Sequence, residues 1–230
     1  MEAIILAGGK AERLGDAAGG LPKPLVPVAG RPLAAWQVGL LGRAGVERVI
    51  LSCSAGAGEQ FAAALGGLGV EVAIAEEPVR LGRGGGIRFA AGERHESGDV
   101  LALNGDELLD VEFASLLEHH RANGAAATIT VAHPRSPFGV VELEDDRVTG
   151  FAEGGTIDCW VSCGVYVLGE DALARFPERG DHETTAFPEL AAEGKLGAFR
   201  HEGLWLTVNT PKDLRRAEEY VGAHPEWLQA

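Results

Sequence analysis

The sequence predicts an α/β fold built on a parallel sheet, and three observations carry that prediction. Short apolar runs at Ala3 to Leu6, Val46 to Ser52 and Val70 to Ala75 alternate with stretches of helical spacing. Such alternation gives parallel strands joined by crossover helices. The first run ends in Ala7-Gly8-Gly9, a strand leading straight into a glycine turn. The 230 residues suffice for a sizeable core, and no linker, low-complexity tract or fixed-period repeat divides them. One domain, residues 1–230, is therefore expected.

Taken in order, Pro32 to Ala44 sets Leu33, Trp36, Val38, Leu40 and Leu41 at roughly helical spacing and stops at Gly45. A helix packed on the sheet is expected there. Ala57 to Leu65 reads as a second helix. Leu81-Gly82-Arg83-Gly84-Gly85-Gly86-Ile87 reads as a loop before a helix from Ile87 to Glu93. Asp99 to Leu103 is a fourth strand, and Asn104-Gly105-Asp106 follows it. Asp110 is expected to cap a helix from Val111 to Asn123. His119 and His120 near its end are read as solvated or as complementing the helix dipole. Ala125 to Ala132 alternates as a strand does. Phe138 to Leu143 and Arg147 to Phe151, on either side of Glu144-Asp145-Asp146, read as a hairpin with an acidic turn. Trp160 to Leu168 is a further strand, Glu183 to Gly194 a helical segment, and Pro211 to Val221 a last helix with proline near its first turn.

The formal net charge of −14 argues against non-specific binding to nucleic acid or to an anionic membrane. Cys53, Cys159 and Cys163 follow no zinc spacing, and an odd count without a signal peptide fits a reducing cytoplasm. No apolar run approaches transmembrane length. Self-association is left open.

The chemistry concentrates in the first thirty residues. At Gly8 and Gly9 no side chain shields the backbone amides, so a ligand can approach them closely. Lys10, Arg13 and Lys23 then bring cations, and Pro22 and Pro24 stiffen the chain around Lys23. Glycine amides with fixed cations suit a polyphosphate. The same residues also fit an ordinary first strand with a glycine turn. They form neither a Walker A loop nor a G-x-G-x-x-G fingerprint. Asp106, an acid at the carboxyl end of a strand behind a glycine, suits a magnesium ligand, since Mg²⁺ prefers hard oxygen donors. Asn104-Gly105-Asp106 equally fits a simple turn.

Several ordered runs resemble the sugar-1-phosphate nucleotidylyltransferases. They are Leu6-Ala7-Gly8-Gly9, Arg13-Leu14, Pro22-Lys23-Pro24-Leu25 and Pro27-Val28-Ala29-Gly30-Arg31-Pro32. Later runs continue the likeness: Glu77 to Ile87, Asn104-Gly105-Asp106, Phe138 to Glu153, Ser162-Cys163-Gly164-Val165-Tyr166 and Trp205 to Pro211. The resemblance implies a three-layer α/β/α Rossmann-like nucleotidyltransferase domain with a mixed central sheet and a β-rich sugar-binding part. Residues 1–110 would form the nucleotide-binding half and 111–230 the sugar-phosphate-binding half. It implies Mg²⁺-dependent transfer between a nucleoside triphosphate and a sugar 1-phosphate, with pyrophosphate released. Guanylyl- and uridylyltransferases are favoured.

By the same resemblance Leu6, Ala7, Gly8, Gly9, Gly82, Arg83, Asn104 and Gly105 would bind the nucleotide, with Arg83 offering a phosphate a cation. Arg13 would hold the leaving pyrophosphate and Lys23 the α-phosphate. Gly139, Glu153 and Ser162 would hold the sugar. Asp106 would hold the metal with Asn209 as second ligand, although Asn209 fits a cap of the last helix equally well.

The chain also departs from the pattern. Thr207 stands where many relatives have a metal-binding Asp, and Gly154 and Gly155 follow Glu153 where relatives have a sugar-phosphate lysine. Lys195 and Lys212 are candidate substitutes for that lysine. Three other readings stay open: a transferase for a non-sugar phosphate acceptor, a glycosyltransferase of similar topology, and a non-catalytic nucleotide sensor. The second lacks a D-x-D motif, because Asn104 replaces the first acid.

Overall fold

The computed structural model describes residues 1–136 and 138–224. Its strands are β1 (Glu2–Leu6), β2 (Pro27–Val28), β3 (Arg31–Pro32), β4 (Arg48–Ser54), β5 (Glu71–Glu77), β6 (Val100–Asn104), β7 (Glu107–Leu109), β8 (Ala127–Ala132), β9 (Gly139–Glu144), β10 (Arg147–Glu153), β11 (Val161–Leu168), β12 (Leu196–Arg200) and β13 (Trp205–Thr207). Its helices are α1 (Leu33–Arg43), α2 (Gly58–Leu65), α3 (Gly82–Ala91), α4 (Phe113–Asn123), α5 (Glu170–Arg175), α6 (Ala186–Ala192) and α7 (Pro211–Ala223). Short 3₁₀ segments cover Glu12–Ala18, Lys23–Leu25 and His182–Thr184.

Seven strands form the central sheet in the order β12-β8-β11-β6-β1-β4-β5. β6, β1, β4 and β5 run parallel, β11 lies antiparallel between β6 and β8, and β12 is parallel to β8. The sheet is therefore mixed, as the family resemblance implies. It is buried on both faces, which is why β1 reads as a continuous apolar run. Ala3 and Ile5 point to one core with α1, α2 and α4; Ile4 points to the other with α3, α5 and α6. Each fully buried isoleucine contributes roughly 1.5–3 kcal/mol. A third cluster packs Leu14, Val26, Trp36 and Leu108 against Leu206, Val208 and Val221. That cluster ties the N-terminal segment to α7. Among the described residues the β9–β10 hairpin pairs only within itself, and it leaves Leu143, Val148 and Phe151 exposed.

Several local expectations are corrected. α3 begins at Gly82, so the glycine run is its first turn and not a loop. A Cβ on Gly84 would stand 2.7 Å from the His182 backbone nitrogen, and one on Gly85 2.6 Å from the Glu178 carbonyl oxygen. These glycines let the helix lie against segment 177–182. Asp110 does not cap α4, whose N-cap Glu112 makes no side-chain cap bond. It meets His201 instead, Oδ1 to Nε2 at 3.1 Å. His120 is buried, bonded to Thr128 Oγ1 at 2.8 Å, rather than solvated. The segment from Glu183 divides into a 3₁₀ turn and α6. β2, β3, β7, β12, β13 and α5 have no counterpart in the sequence reading.

Candidate active site

The carboxyl ends of β1, β4, β5 and β6 open into a cavity of about 470 Å³, the place where open α/β sheets hold ligands. Leu6, Gly8, Gly9, Arg13, Lys23, Gly82, Arg83, Asn104, Gly105, Asp106 and Asn209 all line it. Ala7 lies buried beside it and lines a neighbouring hollow with Gly8 and Gly9. Thus all but one of the nucleotide and metal candidates share one space.

Local packing explains how they are held. Gly105 donates its N–H to the Leu6 carbonyl at 2.9 Å, and a Cβ there would stand 2.4 Å from that oxygen. Only glycine lets the β6 turn come so close to β1. Gln37 of α1 reaches under the turn and donates to the carbonyls of Asn104 and Glu107, each at 2.8 Å. No sequence pattern marks Gln37. Glu77 at the end of β5 accepts from Ser52 Oγ at 2.8 Å and from the Leu81 N–H at 2.9 Å, which anchors the entry to α3.

At the floor of the cavity, Lys23 Nζ donates to Asp106 Oδ2 at 2.5 Å and also to Asn209 Oδ1. Arg13 Nη2 donates to the same Asn209 oxygen at 2.5 Å. Two oxygen donors from distant parts of the chain therefore converge on a single cation. Asn209 does not cap α7. Thr210 does, in a capping box with Asp213, so the Asn209 side chain is left for the cavity. Beside it Glu107 is buried and bonded by Trp205 Nε1 at 2.8 Å. Burial, with Asp106 alongside, pushes the Glu107 carboxyl well above its ordinary range.

Arg83 is not a free cation. Nε donates to Asp181 Oδ2 at 2.7 Å, and Nη2 lies 2.6 Å from Glu183 Oε2. Its charge is answered by two carboxylates before any phosphate arrives.

The sugar candidates are more scattered. Glu153 lines a second cavity, of about 910 Å³, with Arg135, Thr207 and Lys212. Gly139 starts β9 beneath the Phe151 ring, where a Cβ would stand 2.4 Å from the ring edge. Ser162 Oγ accepts from the Gly164 N–H at 3.3 Å and donates to Tyr166 Oη at 3.5 Å. Gly154 has φ 64°, a left-handed conformation that a lysine adopts only with strain. Of the two substitute lysines, Lys195 is tied to Asp171 and Glu193, whereas Lys212 lines the second cavity. Cys163 is buried, and burial pushes its thiol up to about 12, which fits a core residue and not a nucleophile.

The nucleotidyl transferase family model matches residues 2–223. The chain belongs to this family. A mannose-1-phosphate guanylyltransferase of Mycobacterium tuberculosis is 34% identical over 230 residues, covering 94% of this chain and 63% of its own length. The mannose-1-phosphate guanylyltransferase catalytic subunit beta of Xenopus tropicalis is 30% identical, covering 99% of this chain and 68% of its own. The chain thus spans about two thirds of the length of these curated relatives. HddC from Yersinia pseudotuberculosis has the same nucleotidyl transferase fold, with a TM-score of 0.76 at 24% identity over 95% of this chain and 98% of that one. That protein has also been solved complexed with GMP-PN. No helix among the described residues is long and apolar enough to cross a membrane.

Proposed function

We propose that this chain joins a nucleoside triphosphate to a sugar 1-phosphate, giving a nucleotide sugar and pyrophosphate, with guanylyl transfer favoured. The observation that carries the reading is the convergence of Asp106 and Asn209 on the Lys23 ammonium, in a cavity walled by the Gly8 and Gly9 backbone. The guanylyltransferase names of the relatives and the GMP-PN complex of HddC support guanine as the first base to test.

Asp106 and Asn209 fit Mg²⁺, since both offer hard oxygen donors aimed at one cation position. Asp106 and Asn209 would hold the ion, a type of site at which Mg²⁺ usually keeps water and substrate phosphate as well. When bound, the ion supplies charge neutralisation on the phosphate oxygens. The chain's own groups position the reactants and answer the charge that develops. Gly8 and Gly9 present backbone to the triphosphate. Arg13 holds the leaving pyrophosphate. Lys23 leaves its two oxygen partners for the α-phosphate, where its charge favours in-line attack by the sugar phosphate oxygen. Residues 1–110 supply the nucleotide side of this site, and the half from 111 to 230 adds Asn209 and the sugar side. The three free thiols fit action in a reducing, cytoplasmic compartment.

The test is pyrophosphate release with a panel of triphosphates and sugar 1-phosphates. GTP with mannose 1-phosphate is expected to give turnover, abolished by chelation of divalent metal. No release with any pair, alongside measurable GTP binding, would favour the sensor reading and overturn this one.

A further inference from the structure

The β9–β10 hairpin has two unlike faces. Cross-strand partners share a face, so the pairs Val141–Phe151 and Leu143–Val148 put four apolar side chains on one side. Glu142, opposite Gly150, and Glu144, opposite Arg147, lie on the other. The apolar side is open: Val141 is 44% exposed, Leu143 63%, Val148 60% and Phe151 69%. Phe138, 76% exposed, stands at the foot of the same hairpin. Five of the nine large hydrophobic side chains exposed among the described residues thus fall within 138–151.

Two strands alone are marginal in water; a hairpin needs a third strand or a cover over its apolar face. Among the described residues it has neither. β9 and β10 pair with each other and with no other strand. None of the four side chains belongs to a core cluster.

The size and charge of this face fit a second copy of the chain. Scaled by exposure, its two phenylalanines and three aliphatic side chains offer roughly 450 Å² of apolar surface. A standard interface takes about 800 Å² from each partner, rather more than half of it apolar. One hairpin face therefore supplies the apolar share of a stable dimer. Charge sets the orientation. The turn carries Glu144, Asp145 and Asp146 against Arg147 alone. The foot carries Glu153 and Arg135, which is bonded to the Gly154 carbonyl, so their charges cancel. Stacked tip to tip, two acidic turns would meet. Stacked tip to foot about a two-fold axis, the turns stand about 20 Å apart, beyond the screening length of about 8 Å. Each turn then faces a neutral foot that holds an arginine. Every contact is made twice, as an isologous pair requires.

We propose that the chain forms a two-fold dimer in which the apolar faces of two β9–β10 hairpins stack on each other, tip to foot. The inference does not depend on the reaction proposed above.

Sedimentation velocity of the full chain at micromolar concentrations tests it. The wild type is expected to sediment as a dimer. Leu143→Asp combined with Val148→Asp should sediment as a monomer with an unchanged far-ultraviolet circular dichroism spectrum, since both positions are exposed in the single chain. Leu143→Thr with Val148→Thr, which keeps strand propensity, should weaken the dimer in the same direction. Glu142→Gln, on the opposite face, should remain dimeric. For orientation, a short bis-maleimide in a Cys159→Ser background should join chains that carry both Asp145→Cys and Arg135→Cys. It should not join chains that carry Asp145→Cys alone. A monomeric wild type overturns the inference and would point to a different protein as the partner of this face. A dimer that survives the paired aspartates, or that Glu142→Gln dissolves as readily, overturns the stacked face. Cross-linking through Asp145→Cys alone overturns the tip-to-foot arrangement.

Discussion

Lys23 Nζ stands 2.5 Å from Asp106 Oδ2, so the cation position beside this carboxylate is taken by a side chain of the protein itself. The lysine is buried and the aspartate about 29% exposed, which makes the contact stronger than a surface pair. In the proposed reaction Asp106 would hold the metal ion and Lys23 would turn to a phosphate. Asp106→Ala is therefore expected to abolish turnover while leaving the far-ultraviolet circular dichroism spectrum unchanged. Activity within a few-fold of wild type at saturating magnesium would remove Asp106 from the mechanism.

Lys23 and Arg13 share the Asn209 oxygen, yet they serve different phosphates in the proposed reaction. Catalysis gains only from contacts stronger in the transition state than in the ground state. Lys23→Ala and Arg13→Ala should each lower kcat more than they raise the KM for triphosphate. Steady-state kinetics decide it: a change confined to KM would make both residues plain binders.

Asn209 and Thr210 are adjacent residues that both suit a helix cap, and the structure gives them separate tasks. Thr210→Ala removes the capping box of α7 and should cost about 1 kcal/mol, a fall in Tm of roughly 2–4 °C for a chain of this size. Asn209→Ala should leave Tm nearly unchanged and lower activity sharply. The reverse pattern, with Asn209→Ala the destabilised variant, would return Asn209 to a structural role.

These cases show what the sequence makes legible. β1, β4 and β6 are covered on both faces, so they read as apolar runs without any knowledge of their partners. β12 holds Leu196, Gly197, Ala198, Phe199 and Arg200, a weak strand pattern recruited to the sheet edge by β8. The cavity of glycine amides, cations and Asp106 is legible because close backbone approach and fixed charge restrict residue types. Asn209 is ambiguous because capping and ligation ask for the same amide; its contacts with Lys23 and Arg13, and the cap made by Thr210, set it apart from the helix end. Gln37 is silent, since a glutamine in a helix is ordinarily solvent-facing. The pairing of Arg83 with Asp181 and Glu183 is a long-range contact that no local pattern carries.

Gly84 tests why the glycines of α3 are there. Alanine is worth up to about 1 kcal/mol more than glycine in a helix interior, so Gly84→Ala would stabilise a helix with free space around it. The added Cβ meets the His182 nitrogen at 2.7 Å and Pro177 Cδ at 2.9 Å, so the contact outweighs the propensity. A loss of roughly 1–3 kcal/mol is expected. Gly222→Ala in α7, where the Cβ meets nothing within 4 Å, should instead be neutral or slightly stabilising. Thermal unfolding of both variants checks the contrast. A raised Tm for Gly84→Ala would mean that segment 177–182 yields and that close packing does not explain the glycine run.

His182 links this same contact to pH. Its ring is fully buried, stacked on Phe176 at 4.9 Å and edge-on to Tyr166 and Phe187. Burial lowers its pKa to about 4, against 6.5 for the ordinary imidazole, and Asp181 only partly offsets this. The folded state therefore keeps the ring neutral where the unfolded chain binds a proton. Between about pH 6.5 and 4 the unfolded state binds more protons, so stability rises with pH there and is lost as pH falls. The contribution fully present above pH 6.5 is about 3 kcal/mol on this shift. Tm measured from pH 7 to pH 5 should fall in the wild type. His182→Phe, which keeps a ring in the stack and removes the titration, should show a shallower fall over that window whatever its stability at pH 7. Parallel curves for the two proteins would show that other groups set the acid limb and that His182 is not its source.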